Sequence, residues 1–272
     1  MPEGPEMRRA ADELNKVLAR RKAQRVTFGL PSLDRHDATL SGRRIRSVRC
    51  RGKALLIAFS GDLTIYTHNQ LYGKWFVRSR GDLPATNRQL RLRIDTREHS
   101  ALLYSASDID VYEAVELAVH PYLAKLGPEA LDHAVVPAAI ERQLEDKRFR
   151  SRSLAALYLD QAFLAGIGNY LRSEILFAAR IAPTLKAAEL DRAARARLAK
   201  QSLSITRRSY RTGGVTNAPR FANPQKAAGV TRERYRFFVF GRAGRSCYVC
   251  GTTIVRTTLS GRRLYYCPTC QP

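Results

Sequence analysis

Long apolar runs are missing from this 272-residue chain. No stretch of eighteen apolar residues occurs, so no transmembrane helix is expected. The first residues carry Glu3, Glu6, Arg8 and Arg9 and no apolar segment, so no secretory signal peptide is expected. Acids are scarce as well: 24 Asp and Glu stand against 47 Lys and Arg, a formal net charge of +23. That imbalance points to a polyanion, most often nucleic acid, although ribosome or membrane-surface binding would give the same balance. Cysteine is sparse, at five residues, and four of them form two C-x-x-C pairs. Without a secretory signal, such pairs read as metal ligands rather than disulfides. Cytoplasm is the expected compartment, with the nucleoid as workplace if the partner is DNA. What the chain does have is 44% hydrophobic residues, enough for a globular protein with two domains, or one domain and a small module.

The opening Pro2-Glu3-Gly4-Pro5-Glu6 admits two readings. Once Met1 is removed, Pro2 carries a secondary amine beside the carboxylates of Glu3 and Glu6, a compact set for covalent chemistry at a carbonyl carbon. The same residues also make an ordinary helix start, with Pro near the first turn and Glu against the helix dipole. On these residues alone the helix start is the simpler reading. Met7, Ala11, Leu14 and Leu18 continue at helical spacing, which tethers the amine to a rigid element.

Short apolar or alternating segments follow at 25–28, 44–50, 54–59, 63–67, 74–77, 89–94 and 100–105, with Gly61-Asp62 as a tight hairpin turn. One helix followed by closely spaced strands predicts a β-sandwich or barrel with helical flanks. Cys50 is expected in its core. Residues 84–88 and 108–121 read as loops or short helices. The segment 43–53 holds six basic residues and no acid, ending in Arg51-Gly52-Lys53 at the mouth of an apolar strand. Lys53 is a candidate functional cation; phosphate contact or plain solubility are the alternatives. In 68–73, Gln70, Leu71 and Tyr72 put an amide, an aliphatic and an aromatic side chain on one turn, a combination that suits entry into a base stack, although a buried turn would look the same.

Lys125-Leu126-Gly127-Pro128 reads as a linker. Beyond it, helices are predicted over 137–144, 153–163, 169–179 and 187–205. Gly166-Ile167-Gly168-Asn169 joins two of them through a Gly-x-Gly turn whose free N–H groups suit a phosphate, with Asn169 as the helix N-cap. Residues 211–230 read as a long flexible loop. Cys247-x2-Cys250 and Cys267-x2-Cys270, sixteen residues apart, fit one structural zinc held by four thiolates, around a hairpin spanning 253–266. Residues 232–263 contain eight Arg and one acid, which makes this hairpin a nucleic-acid arm.

Taken together, Pro2-Glu3-Gly4-Pro5-Glu6, Arg51-Gly52-Lys53, Gly166-Ile167-Gly168-Asn169-Tyr170 and the four cysteines resemble the formamidopyrimidine-DNA glycosylase/endonuclease VIII family of base-excision repair enzymes. The likeness covers nearly the whole chain. Residues 68–73 and 103–108 look closer to the bacterial endonuclease VIII branch than to the formamidopyrimidine branch. The resemblance implies an α+β multidomain protein: an N-terminal catalytic β-sandwich domain over 1–125, a helix–two-turn–helix domain over 126–225, and a C-terminal β-hairpin zinc finger over 226–272. It implies a monomer that acts on damaged double-stranded DNA and removes oxidised pyrimidines, the alternatives being the purine-specific sister activity or a non-catalytic zinc-ribbon DNA-binding protein. It implies that Pro2 is the nucleophile, Glu3 the acid/base on the sugar, Lys53 the pocket cation and Glu6 a pocket carboxylate. Gln70, Leu71 and Tyr72 would fill the gap left by the extruded base. Asn169 and Arg262 would bind flanking phosphates, with Arg262 assisting the last elimination. The family usually has Arg where this chain has Lys125, so that phosphate contact loses its bidentate fork.

Overall fold

The computed structural model describes residues 2–272 and divides them into two compact units. One comprises Pro2 and residues 6–125, the other residues 3–5 and 126–272. Met1, whose removal would free the Pro2 amine, lies outside the described residues.

The first unit takes helix α1 (Gly4–Leu18) from residue 6 onward and runs through β1 (Arg25–Phe28), α2 (Arg35–Leu40), β2 (Ile45–Arg51), β3 (Ala54–Phe59), β4 (Leu63–His68), β5 (Lys74–Ser79), β6 (Leu90–Asp95), β7 (His99–Tyr104), β8 (Asp108–Glu113) and α3 (Ala114–Ala118). The strands make two antiparallel four-stranded sheets, ordered β1-β6-β7-β5 and β2-β3-β4-β8. Alternating residues of both sheets, among them Val26, Ile57, Ile65, Leu92 and Leu103, share one core with Met7, Ala11, Leu14 and Leu18 of α1. This is the expected sandwich with flanking helices. The β3–β4 hairpin turns on Gly61 and Asp62, both at positive φ (80° and 59°), as a turn matched to strand twist requires.

One segment differs from expectation. Residues 108–113 form a strand, not a loop or helix. Ile109 and Val111 face inward at period two while Asp108, Asp110 and Tyr112 alternate outward. The acids at two of these three outward positions hid this alternation in the sequence.

The second unit holds α4 (Pro137–Glu145), α5 (Leu154–Leu157), α6 (Asn169–Ala179), α7 (Arg192–Arg211), α8 (Pro219–Ala227), α9 (Arg232–Tyr235) and the hairpin β9 (Val255–Leu259) with β10 (Arg262–Tyr266). The helix expected over 153–163 stops at Leu157. The Asp160 carboxylate accepts the Ala162 N–H at 2.8 Å, a local bond that competes with helix continuation. The helix expected from 187 starts at Arg192, where Asp191 caps it by accepting from Ala194 N–H at 2.7 Å. Residues 211–230 are not one flexible loop. Pro219 opens α8, and its Phe221 stacks on Tyr248 with ring centroids 5.6 Å apart. The core of this unit runs from Leu154, Leu171 and Leu203 to Leu264, Cys247, Cys267 and Cys270.

Candidate active site and nucleic-acid interface

In the second unit, Glu3 sits on the N-terminus of α6. Its carboxylate accepts from the N–H groups of Gly168 (2.8 Å), Tyr170 (2.8 Å) and Leu171 (3.2 Å), and its residue is only 3% exposed. A carboxylate at the positive end of a helix, with three amide donors, is held firmly in position. The Gly-x-Gly turn thus presents these N–H groups to Glu3, where a phosphate had been expected. The reason is steric as well as electrostatic: a Cβ on Gly168 would lie 2.5 Å from the Glu3 carboxyl carbon, so only glycine admits the approach. A bond from Gly4 N–H to Gly166 O, at 2.7 Å, fixes the backbone on the other side of Glu3.

Gly168, not Asn169, is the N-cap residue of α6. Asn169 is the first helical residue, and its Oδ1 accepts from Arg172 Nη2 at 2.6 Å. Arg172 was not singled out from the sequence. It is fully buried, donates to Ala155 O (2.8 Å) and Arg263 O (3.0 Å), and so ties α6 to the zinc hairpin. Burial pulls its pKa down to about 10; Glu3 opposes that shift and Arg262 adds to it. Glu3, Asn169, Arg172 and Arg262 therefore form one electrostatic group. Arg262 itself opens β10 with an exposed side chain, just after a turn in which Ser260 and Gly261 take positive φ (53° and 69°).

Glu174, two residues further along α6, was also missed. Its buried carboxylate accepts from Phe238 (2.7 Å), Val239 (2.8 Å) and Phe240 (2.9 Å) N–H and from the Thr216 hydroxyl. Burial pushes its pKa up, and these four donors work against that. The signal that could have found both residues is a pair of charges, 172 and 174, inside an otherwise apolar helical run.

The four sulfurs of Cys247, Cys250, Cys267 and Cys270 lie within 4.8 Å of one another. Tetrahedral zinc thiolates at about 2.3 Å from the metal would stand about 3.8 Å apart. The Cys247–Cys270 and Cys250–Cys267 separations of 4.0 and 3.4 Å fit that geometry. Burial raises the pKa of Cys267 and Cys270 as thiols, so a cation is needed to hold them as thiolates. The site holds one structural zinc, with no open position for water.

In the first unit, Lys53 is 8% exposed on the β2–β3 turn, where Gly52 takes φ 58°. Its backbone N–H donates to Tyr122 Oη at 2.9 Å. The turn after β4 starts with Gln70 in the left-handed region (φ 48°). Gln70 N–H donates to His68 Nδ1 at 3.2 Å, and its Oε1 accepts from Ser107 Oγ at 3.1 Å. A Cβ on Gly73 would meet Asn69 O at 2.6 Å, so the turn closes only on glycine. Leu71 and Tyr72 stand 58% and 69% exposed at its tip, and Arg88 donates to Tyr72 O. Two large apolar side chains on a pinned turn suit insertion into a partner. Pro2 is partly exposed at the chain start. Glu6 accepts from Arg9 Nη2 at 3.3 Å along α1, and Lys125 ends a 3-10 turn, exposed.

The chain matches the formamidopyrimidine-DNA glycosylase N-terminal domain over residues 1–107, the helix–two-turn–helix domain of the same enzymes over 126–219, and the zinc finger found in FPG and IleRS over 246–272. It is 44% identical to Endonuclease 8 of Pectobacterium atrosepticum and 45% identical to that of Klebsiella pneumoniae, each over 271 residues and 100% of both chains. The chain belongs to the formamidopyrimidine-DNA glycosylase/endonuclease VIII family. As a family member it is a DNA glycosylase with AP lyase activity that works in base-excision repair. Among solved structures, the fold is that of Lactococcus lactis Fpg in a complex with abasic-site DNA, at a TM-score of 0.82, 20% identity and 99% coverage of each chain. A MutM complex with DNA containing carbocyclic 8-oxo-G gives 0.81, 21% and 100% of each. Among the described residues, no helix is long and apolar enough to cross a membrane.

Proposed function

We propose that this enzyme extrudes oxidised pyrimidines from damaged double-stranded DNA, removes them through a Schiff base on Pro2, and cuts the strand by β,δ-elimination. The observation that carries the mechanism is the clamp on Glu3. Glu3, the residue after the proposed nucleophile, has its carboxylate fixed by three amide donors, which supports its reading as the acid/base.

A base inside a duplex is out of reach, so the nucleotide is flipped, at a cost of a few kcal/mol that is least for a damaged base. Leu71 and Tyr72 offset part of that cost by taking the vacated space, with Gln70 at the base of the turn. The neutral Pro2 nitrogen attacks C1′ as the damaged base departs with the glycosidic electron pair and picks up a proton. An α-amine titrates near 8 rather than near 10, so a useful fraction is neutral at pH 7. Glu3 exchanges a proton with the ring oxygen as the sugar opens. A secondary amine yields an iminium with no N–H proton to lose, and this cation draws electrons from the C2′–H bond. Loss of that proton expels the 3′ phosphate, and a second elimination expels the 5′ phosphate. Lys53 and Glu6 line the pocket in this scheme. Asn169, Arg262 and Lys125 hold the phosphates. The zinc takes no part in the bond changes.

The identity of 44–45% over the full chain to Endonuclease 8 relatives, together with Gln70-Leu71-Tyr72, supports the pyrimidine branch. We assign residues 1–125 to the catalytic domain, 126–225 to the helix–two-turn–helix domain and 226–272 to the zinc finger of a monomer working at the bacterial nucleoid. The test is borohydride trapping on abasic-site DNA with wild type and Pro2→Gly, alongside excision of thymine glycol and 8-oxoguanine. Wild type is expected to leave a covalent adduct and Pro2→Gly little or none. An undiminished Pro2→Gly adduct would overturn the nucleophile, and preference for 8-oxoguanine would overturn the substrate.

A further inference from the structure

His68 ends β4 beside two parts of the proposed machinery. Its Nδ1 accepts the Gln70 N–H at 3.2 Å, so the ring proton sits on Nε2. Gln70 is the residue that must hold a positive φ, a conformation that is strained for a non-glycine residue unless its surroundings enforce it. The exposed Leu71 and Tyr72 follow directly. On its other side, the His68 ring meets Tyr122 edge-on, with centroids 5.6 Å apart. The Tyr122 hydroxyl accepts the Lys53 N–H. Resting on the wedge reading of Gln70-Leu71-Tyr72 above, we infer that His68 is a positioning residue for base extrusion: it pins the left-handed start of the wedge turn and buttresses the Lys53 turn through Tyr122.

The bond to Gln70 requires a neutral imidazole, because a protonated Nδ1 becomes a donor and repels the Gln70 N–H. The groups facing the ring are Asp108 on β8, Lys53 and Tyr122. Burial lowers the imidazole pKa from its ordinary 6.5, Asp108 opposes this and Lys53 adds to it. The sign follows. A depressed folded pKa gives a contribution that is complete above 6.5 and is lost as pH falls from there through the lowered value. The wedge turn is therefore firm at neutral pH and loosens in mild acid.

Two variants separate the acceptor from the ring. His68→Asn keeps an oxygen where Nδ1 was, in reach of the N–H two residues on, and removes the titration. His68→Phe keeps a ring against Tyr122 and removes the acceptor. The measurement is the saturating single-turnover rate of thymine glycol excision, divided by the rate of strand cleavage at a preformed abasic site, from mildly acidic to neutral pH. Both steps share the Pro2 amine, so its titration cancels in the ratio, whereas only the first needs a base to be extruded. For wild type the ratio is expected to fall on the acid side. For His68→Phe it should lie about tenfold below wild type at neutral pH, the scale of one lost hydrogen bond. For His68→Asn it should stay within about threefold of wild type at neutral pH and flatten on the acid side. A wild-type ratio in His68→Phe, or an unchanged acid-side fall in His68→Asn, would overturn the inference. Failure of wild type to give a borohydride adduct would strike the Pro2 reading instead, so the two failures are distinguishable.

Discussion

Replacing Glu174 by Gln gives the sharpest test of how the zinc hairpin is held. Each carboxylate oxygen takes two donors: Oε1 those of Val239 and Phe240, Oε2 those of Phe238 and Thr216. An amide of the same shape keeps one oxygen and turns an NH2 toward the other two donors. Two bonds to a charged group are lost at about 1.5–2 kcal/mol each, so the change should cost about 3–4 kcal/mol. The charge has distant dependants too, because Glu174 favours the charged forms of Arg208 and Arg242 against their burial. For a unit of this size a loss of 1 kcal/mol lowers Tm by about 2–4 °C, so the variant should melt roughly 6–16 °C below wild type. Differential scanning calorimetry on the zinc-loaded protein measures this, with Glu233→Gln, an exposed site, as control. Residues 238–240 lead directly into Arg242 and Cys247, so hydrogen exchange should rise there as well. A Tm drop of less than about 2 °C would refute the view that the carboxylate anchors this strap.

Two further outcomes follow from the second unit. Cys267→Ser, or chelation of the wild type, should lose the zinc and loosen Leu264 and Ile254 with it; a chelated protein with unchanged melting and DNA affinity would contradict the structural role. Arg262→Ala should weaken DNA binding similarly across sequences and reduce the slope of log K against log salt by about 1, the signature of one lost phosphate contact. An unchanged slope would remove Arg262 from the phosphate set.

Much of the fold was legible because its signals are local. The strand Ala54–Phe59 is a short apolar run between turn residues, and α1 repeats its apolar face at helical spacing. The zinc site follows from cysteine spacing alone. The failures have local causes as well. Asp108 and Asp110 masked a strand, and Pro219 and Pro224 made a helix read as a loop. For the site, residue types pointed to Pro2, Glu3, Lys53 and Asn169, but not to how they are held. Glu3 finds its donors across 165 to 168 residues of chain, and Glu174 finds its own across 42 to 66. No periodicity encodes such pairings. They arise from the fold, and they are where Arg172, Glu174 and His68 gain their meaning.

The seat of Glu3 on α6 also carries a consequence for biosynthesis. The amine end of the chain leaves the ribosome first, yet the amides that receive its neighbour belong to residues 168–171. At about 5–20 residues per second, roughly ten to thirty seconds of translation separate the two. Throughout that interval a nascent or prematurely terminated chain carries the amine without an oriented carboxylate beside it. A chain that ends before residue 168 therefore lacks the seat of Glu3.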